Sequence, residues 1–547
     1  MADYLAGNMM PTDLLIPDLL EYAAAHHGDA EIISRRQEGD VHRYGYVDAL
    51  RRSKRLANAL LSLGAQPGDR IATLAWNGYR HFECYYAISG IGAICHTVNP
   101  RLYSEQIEFI INHAEDSILL LEPDFIPLLE SIAPQLSSIQ AMVVMVDSEH
   151  MPDSTLPLLN YEQLLSQHSD VYSWPRFSSD SAASLCYTSG TTGNPKGVLY
   201  SHRSTLLHAF ASRSPDALNV SSGSVVMPVV PMYHVCAWGM PYIAPMAGAT
   251  LVLPGSGMDG ASLHELIELA QVDLMLGVPT VWLNLIEHLK RHDLRMDSVR
   301  VVGVGGSASP RALVETLDQE YGVYLLPIWG MTETSPLATL GAPSKALMAL
   351  PAEQRYRRQT TAGKPMFGIE LEIFDEYDQP LPHDGHSRGL LRVRGPWVLT
   401  AYYKNEKPES FFIDQQGRQW FDTGDIAVID QDSYLHIVDR AKDVVKSGGE
   451  WISSIDLENA AIGHPDVNEA CVIGVRHPKW DERPLLFIVR RDGSDINKED
   501  IYDYLQQHVA KWWLPDDILF VQELPHTATG KLQKRTLRDE YNDYLME

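Results

Sequence analysis

A short loop rich in hydroxyl groups and glycines, YTSGTTGNPKG at 187–197, is the first feature of the sequence that points to chemistry. Glycines let a backbone turn tightly, so that several N–H groups can face one anion. With its hydroxyl donors and the charge of Lys196, the loop predicts a phosphate site rather than a solvated turn. A nucleotide-hydrolysing P-loop requires GxxxxGK[ST], whereas Pro195 precedes this lysine and Gly197 follows it. The predicted phosphate contacts are Ser189, Gly190, Thr191, Thr192, Gly193 and Lys196.

A second glycine-rich segment, GVGGSASP at 303–310, matches the pattern GxGxxA with Gly303, Gly305 and Ala308. Between a strand and a helix this pattern is typical of dinucleotide binding, so a hydride-transferring oxidoreductase is an alternative from another class. That fingerprint needs an acid about 20 residues further on, where YLLPIWG stands instead. We therefore disfavour the oxidoreductase, and the segment also fits a plain strand-to-helix turn.

The elements that must position these loops alternate along the first two-thirds of the chain. Apolar runs such as DRIATLAW and VRVVGVGG end in turn residues and are separated by helical patterns such as RHFECYYAISGIGA. This alternation predicts α/β layers with largely parallel sheets, and VLYSHRSTLLHAF after the first loop predicts a helix. From about residue 360, short strands with Gly and Asp turns predict a small antiparallel barrel or sheet. After VDRAKD an α+β pattern begins, so we expect domains at 1–439 and 440–547.

Composition limits the class of protein. The 547 residues carry a net charge of −27, which disfavours binding to nucleic acid or to anionic membranes. The five cysteines form no CxxC pair, so they suit a reducing compartment better than a disulfide framework or a zinc site. The N-terminus has no basic segment of the kind found in secretory signals, and Pro241 and Pro245 interrupt the longest apolar stretch. We expect a cytoplasmic protein without stable membrane insertion.

At this point the sequence resembles a known family. The loop 187–197 is similar to the phosphate loop of the adenylate-forming superfamily, which comprises acyl-CoA synthetases, adenylation domains and luciferases. Within it, PMYHVCAWG, KSGGEWISS and HPKWDERPL are most similar to medium- and long-chain fatty-acyl-CoA synthetases, with bacterial methylmercaptopropionate-CoA ligases as close relatives. The other motifs occur in superfamily order over essentially the whole chain: GVGGSASP, WGMTETSP, FDTGDIA, DRAKDVVKSGGEWIS and TATGKLQKR.

The resemblance implies two half-reactions with ATP, CoA and Mg²⁺. A carboxylate attacks the α-phosphate of ATP, and the CoA thiol then displaces AMP from the acyl-adenylate. The loop would hold the β- and γ-phosphates, which leave as pyrophosphate. Glu333 would bind Mg²⁺ together with the hydroxyl of Thr188, although a Thr-Glu pair also fits a solvated surface.

Further site residues follow from the resemblance. Thr332 would contact the α-phosphate, Trp329 would stack on adenine where relatives usually carry tyrosine, and Asp425 would accept the ribose hydroxyls. His234 and Trp238 would line the acyl pocket, although each also fits an ordinary core position. The resemblance assigns one group of residues to a wall of the adenine and acyl pocket: Gly305, Gly306 and Ser307. It assigns a second group to nucleotide binding: Trp329, Gly330, Thr332, Asp425 and Arg440.

The small domain would be mobile. Lys531 would enter the site for adenylation and then leave, although a Gly-Lys pair in a tail also fits surface charge. Lys442 would be the hinge. Lys446, Gly448 and Trp451 would then face the nucleotide or the pantetheine channel. The catalytic set is Lys531, Glu333, Thr332 and His234.

We therefore expect an ATP-dependent ligase that joins a medium- or long-chain fatty acid to CoA. One alternative is a ligase for methylmercaptopropionate or another short acid. Another is adenylation for transfer to a carrier protein, which HPKWDERPL disfavours because it lacks the glycine that many superfamily members have near that position. Because similar enzymes are often dimers, a homodimer is also expected.

Overall fold

The computed structural model describes residues 7–188, 194–405, 408–448, 450–526 and 532–546. Within these ranges the chain forms two large mixed sheets, a small antiparallel sheet and a C-terminal sheet. The predicted α/β layers and the small α+β unit after them are confirmed. No helix among the described residues combines the length and the apolar character needed to span a bilayer.

The first large sheet has the strand order β7-β6-β5-β3-β4-β8-β9 and is parallel except for its last pair. Its strands are β3 (Arg70–Leu74), β4 (Ile94–Thr97), β5 (Asp116–Leu121), β6 (Ala141–Val144), β7 (Leu158–Asn160), β8 (Ala182–Tyr187) and β9 (Gly197–Ser201).

The second large sheet has the order β16-β15-β14-β13-β12-β10-β11-β1-β2, with parallel pairing from β14 to β1. Its strands are β1 (Glu31–Arg35), β2 (Val41–Gly45), β10 (Val225–Pro228), β11 (Thr250–Leu253), β12 (Leu274–Gly277), β13 (Val301–Val304), β14 (Tyr324–Gly330), β15 (Leu337–Leu340) and β16 (Lys364–Pro365).

Helices cover both sheets, because parallel strands are apolar on both faces. One core joins the facing sides of the two sheets to the helices α1 (Ile16–His26), α2 (Tyr46–Ser62), α3 (Tyr79–Gly90), α7 (His202–Ser212) and α8 (Met240–Ala247). The outer face of the first sheet packs on α4 (Ser104–Ala114) and α5 (Ile126–Ile132). The remaining helices of this part are α6 (Tyr161–Ser166), α9 (Gly260–Ala270), α10 (Pro279–His292), α11 (Arg311–Thr316), α12 (Lys345–Met348) and α13 (Ala352–Gln359).

The two smaller sheets follow in the chain. The antiparallel one comprises β17 (Glu370–Phe374), β18 (Gly389–Arg394), β19 (Phe411–Ile413), β20 (Gln419–Ile429) and β21 (Leu435–Arg440). The C-terminal one comprises β22 (Val445–Ser447), β23 (Glu450–Ile452), β24 (Val467–His477), β25 (Asp481–Arg490) and β26 (Asp517–Val521), with α14 (Ser454–Ile462), α15 (Lys498–Leu505) and α16 (Lys534–Tyr541).

One local prediction is wrong. The segment 198–210 was expected to be helical throughout, but Gly197–Ser201 is strand β9 and the helix begins only at His202. The strand forms because it pairs antiparallel with β8, with Tyr187 opposite Gly197. Ser201 then caps the helix by accepting a hydrogen bond from the backbone N–H of Ser204.

Candidate active site

Four segments that carry predicted site residues follow the carboxyl ends of parallel strands. The phosphate loop follows β8, His234 follows β10, Gly305 follows β13, and Thr332 follows β14. Ligands of open α/β sheets bind at these ends, where loops rather than strands supply the side chains. The fold therefore brings segments far apart in the sequence to one region.

Glu333 lies on a single helical turn, Thr332–Thr334, and is only 6% exposed, which excludes a solvated surface position. The hydroxyl of Tyr402 donates to its Oε1 at 2.6 Å, and the backbone N–H of Leu399 donates to its carbonyl oxygen at 2.9 Å. Burial, followed by the nearby Glu333 carboxylate, raises the pKa of Tyr402 well above its ordinary value, so the hydroxyl stays protonated and donates. One carboxylate oxygen is thus held in place.

The other oxygen of Glu333 has a different environment. Among the described residues, no donor makes a hydrogen bond to Oε2. A buried carboxylate normally needs a partner for its charge, and a carboxylate oxygen is a ligand that Mg²⁺ prefers. Glu333 therefore fits the role of an Mg²⁺ ligand.

The phosphate loop is described at its two ends. The backbone N–H of Thr188 donates to the carbonyl oxygen of Lys196 at 2.9 Å, which closes the loop. The ammonium group of Lys196 lies 5.0 Å from the centre of the Tyr402 ring, within the range of a cation–π contact. Tyr402 thus contacts both Lys196 and Glu333. The intervening predicted contacts, Ser189, Gly190, Thr191, Thr192 and Gly193, lie outside the described residues.

The segment before Glu333 is fixed by close backbone packing. A Cβ on Gly330 would lie 1.9 Å from the carbonyl oxygen of Pro336, so only glycine fits there. The neighbouring N–H of Met331 donates to that same oxygen at 3.1 Å. The hydroxyl of Tyr200 donates to the carbonyl oxygen of Thr332 at 2.7 Å, which links this turn to strand β9 beyond the phosphate loop.

The predicted nucleoside residues meet around Asp425, which is 2% exposed. The indole N–H of Trp329 donates to its Oδ2 at 3.3 Å, and Nε of Arg440 lies 3.0 Å from its Oδ1. Asp425 and Arg440 are paired across β20 and β21, so the sheet register fixes this contact. Because each carboxylate oxygen has two acceptor positions, Asp425 can still accept bonds from hydroxyls.

The acyl side is built on an unusual turn, Val235–Gly239. The four residues 235–238 have φ between 44° and 55°, in the left-handed region that residues with a side chain seldom occupy. The turn places Trp238 against Gly305, where a Cβ would lie 2.8 Å from the indole ring. Two predicted pocket residues are therefore in contact, and His234 is half-buried at the start of the turn.

Gly306 and Ser307 are exposed just beyond this contact, and Gly306 has a φ of +81°. The strand-to-helix turn expected at this segment is present between β13 and α11. Such a turn is compatible both with a wall of the adenine and acyl pocket and with a plain connection between a strand and a helix.

Sequence reasoning missed His208, a buried residue beside the turn. A Cβ on Gly239 would lie 2.8 Å from the ring of His208. Nε2 of this ring accepts a hydrogen bond from the backbone N–H of Leu337 at 3.2 Å. Burial lowers the pKa of His208 to about 3, so the ring is neutral. The indole of Trp397 donates to the carbonyl oxygen of Leu337 at 3.1 Å. A lone histidine in an apolar helix carries no local signal of such contacts.

The predicted residues of the small domain lie on a hairpin. Lys446 and Trp451 are opposite each other in β22 and β23, Lys446 is exposed, and Gly448 turns between them with a φ of +61°. Within the described chain, no hydrogen bond or ion pair joins these three residues to Trp329 or Glu333. Lys442 is exposed between β21 and β22, and Lys531 lies outside the described residues.

The segment HPKWDERPL, which lacks the glycine, contains a residue in the left-handed region. Asp481 has a φ of +71°, a conformation that favours glycine and that aspartate tolerates better than most residues. An aspartate therefore adopts a backbone conformation that glycine favours.

Comparison with known proteins identifies the family and the relatives of this chain. Residues 20–403 match the family model described as AMP-binding enzyme, and residues 456–531 match the AMP-binding enzyme C-terminal domain. The chain is 46% identical over 542 residues to a 3-methylmercaptopropionyl-CoA ligase of Ruegeria lacuscaerulensis, covering 99% of this chain and 100% of that protein. It is 45% identical to a medium-chain-fatty-acid–CoA ligase of Ectopseudomonas oleovorans, covering 99% and 98%.

A third relative is a long-chain-fatty-acid–CoA ligase of Thermus thermophilus, at 43% identity with 98% of this chain and 97% of that protein covered. Among solved structures, the anthranilate CoA ligase AuaEII in complex with anthranoyl-AMP has the same fold. Its TM-score is 0.87 at 24% identity, with 98% of this chain and 99% of that chain covered.

Proposed function

Because the chain belongs to the AMP-binding enzyme family and is an AMP-forming acyl-CoA synthetase, we propose that its acid is a medium- or long-chain fatty acid. The observation that carries this proposal is the apolar turn Val235–Gly239, which has no charged side chain and packs its Trp238 against Gly305. Aliphatic chains are recognised by such surfaces, because burial of apolar area supplies the binding energy.

In the first half-reaction, the carboxylate of the acid attacks the α-phosphate of ATP. This chain's residues position the reactants and balance charge rather than form a covalent intermediate. Lys196 and the loop hold the phosphates that leave, and Thr332 contacts the α-phosphate. Asp425, Arg440 and Trp329 hold the nucleoside. Glu333 and Thr188 would hold Mg²⁺, which when bound neutralises phosphate charge.

In the second half-reaction, the thiol of CoA attacks the acyl-adenylate. We propose that the domains 1–439 and 440–547 rotate relative to one another about Lys442. Lys531 bridges the reacting oxygens during adenylation and then withdraws. Lys446, Gly448 and Trp451 on the hairpin then border the path of the pantetheine. The exposure of Lys442 and Lys446 supports this proposal.

An acid length series tests the substrate. AMP release with CoA should rise from short to medium and long acids, since each buried CH₂ adds about 0.8 kcal/mol to binding. Methylmercaptopropionate is the matched short acid, because a relative at 46% identity is a ligase for it. If kcat/KM were higher for methylmercaptopropionate than for any fatty acid, the proposed fatty-acid substrate would be wrong. If AMP formation required a carrier protein and did not depend on CoA, the acceptor of the acyl group would be a carrier protein and not CoA.

The proposal extends to location and assembly. Five cysteines without paired spacing support a reducing compartment, so we propose a cytoplasmic enzyme. The resemblance to enzymes that are often dimers supports a homodimer. Light scattering of the purified protein measures its mass directly, and a monomer mass at working concentration would refute the dimer.

A further inference from the structure

We infer that Tyr402 is a positioning residue for the adenylation step, because it fixes the Glu333 carboxylate and supports Lys196 of the phosphate loop. This inference rests on the proposed roles of Glu333 and Lys196. It adds a residue that none of the glycine-rich or acidic motifs of the sequence contains. The tyrosine acts through these two side chains and not on the reacting atoms.

The contacts of Tyr402 join two parts of the site. Its hydroxyl lies 2.6 Å from Oε1 of Glu333, and its ring centre lies 5.0 Å from the ammonium of Lys196. A hydrogen bond to a carboxylate is stronger than one between neutral groups, and a cation is attracted to the face of an aromatic ring. A single rigid side chain therefore sets the distance between a metal-ligand carboxylate and a phosphate-binding cation.

Tyr402 is itself held firmly. It is 5% exposed, and its ring makes edge contacts with Phe411 and Phe421 at centroid distances of 6.2 and 6.3 Å. Aromatic rings in such packing have little rotational freedom. The position of the hydroxyl is thus determined by the small antiparallel sheet, to which Phe411 and Phe421 belong.

The adjoining residues anchor this segment at both ends. The ammonium of Lys404 donates to the carbonyl oxygen of His113 and pairs with Glu115, both at 2.9 Å, at the end of helix α4. A Cβ on Gly197 would lie 2.9 Å from Cβ of Tyr403, so the segment runs directly against the end of the phosphate loop. On the other side, Leu399 donates its N–H to the carbonyl oxygen of Glu333. The segment 399–404 therefore braces the loop against Glu333.

The consequence for chemistry concerns the orientation of one carboxylate. With Oε1 occupied by the hydroxyl, Glu333 presents Oε2 for metal binding in a single rotamer. Without the hydroxyl, the Glu333 carboxylate loses its hydrogen-bond donor and is free to rotate. The free energy of fixing its rotamer is then subtracted from the free energy of metal binding. Affinity for the magnesium complex of ATP should fall while affinity for metal-free ATP stays nearly constant.

Two variants separate the hydroxyl from the ring. Tyr402→Phe keeps the ring and removes the hydroxyl, whereas Tyr402→Leu removes both. Calorimetric titration of ATP in Mg²⁺ and in EDTA gives two dissociation constants for each variant. For Tyr402→Phe we expect the Mg²⁺-ATP constant to rise about tenfold and the metal-free constant to change less than about twofold. For Tyr402→Leu both constants should rise, because the support under Lys196 is also lost.

The matched control is Tyr324→Phe. The hydroxyl of Tyr324 donates to the carbonyl oxygen of Gly341 at 2.7 Å, at the opposite end of β14 from Glu333. This variant loses a comparable tyrosine hydrogen bond and should leave both constants unchanged. If Tyr402→Phe behaved like Tyr324→Phe, or raised both constants equally, the inference would be refuted.

A double-mutant cycle with Glu333→Gln completes the test. If Tyr402 acts through Glu333, adding Tyr402→Phe to Glu333→Gln should change the Mg²⁺-ATP constant by less than about twofold. Additive effects would contradict the inference. Failure of the proposed function is seen separately, since wild-type protein would then bind no Mg²⁺-ATP or release no AMP with any acid.

Discussion

The two buried carboxylates of the candidate site, Glu333 and Asp425, have opposite partners. Glu333 accepts from a neutral hydroxyl, that of Tyr402, whereas Asp425 is paired with the Arg440 cation and with the indole N–H of Trp329. The charge of a carboxylate beside a cation is already balanced. A carboxylate whose donor is a neutral hydroxyl is not neutralised, so its charge can still attract a metal ion. We therefore propose that the same functional group serves a metal at one end of the site and neutral hydroxyls at the other.

The largest expected effect is that of Glu333→Gln. An amide retains the shape and can still accept from Tyr402, but it cannot offer a charged oxygen to Mg²⁺. We expect the rate of acid-dependent pyrophosphate release to fall roughly 10²- to 10³-fold. A loss no larger than that of Asp425→Asn would remove the distinction between the two carboxylates.

A smaller effect is expected for Asp425→Asn, because its charge is balanced by Arg440 and its proposed role is to accept ribose hydroxyls. The KM for ATP should rise about tenfold with a smaller change in kcat. Steady-state kinetics with ATP and 2′-deoxy-ATP provide the check. In the variant, the penalty for removing the 2′-hydroxyl should shrink, and an undiminished penalty would show that Asp425 does not contact the ribose.

The smallest effect is expected for Trp329→Phe. This change keeps an aromatic ring for the proposed contact with adenine and removes only the N–H that donates to Asp425 at 3.3 Å. We expect the KM for ATP to rise about threefold. A change above that of Asp425→Asn would mean that the indole contributes chiefly through stacking, and Trp329→Leu would then be worse still.

Much of this site could be predicted because its residues occur in contiguous segments. The loop 187–197, the turn with Glu333 and the strand with Asp425 each keep their chemistry within a few neighbouring residues. Some glycines in these segments are required by neighbouring residues of the chain. At Gly330, for example, the carbonyl oxygen of Pro336 occupies the space that a side chain would need. The α/β layering was predictable for the same reason, since apolar runs and turn residues are local patterns.

The remaining features depend on pairing between distant segments. Strand β9 was expected to be a helix, because a short apolar run is compatible with either element until its partner strand is known. The left-handed turn 235–238 has no glycine before Gly239, so its strain is fixed by the surrounding core and not by composition.

By itself the sequence predicted the chemistry available to this protein: a loop for phosphates, acids for a metal and a ribose, and a pocket wall for the organic acid. Only the tertiary structure decided which groups hold them in place. Tyr402 is 69 residues from Glu333 in the chain, and their hydrogen bond exists because the small antiparallel sheet packs beside the end of β14. Contacts at such separations depend on the path of the whole chain, which no local pattern records.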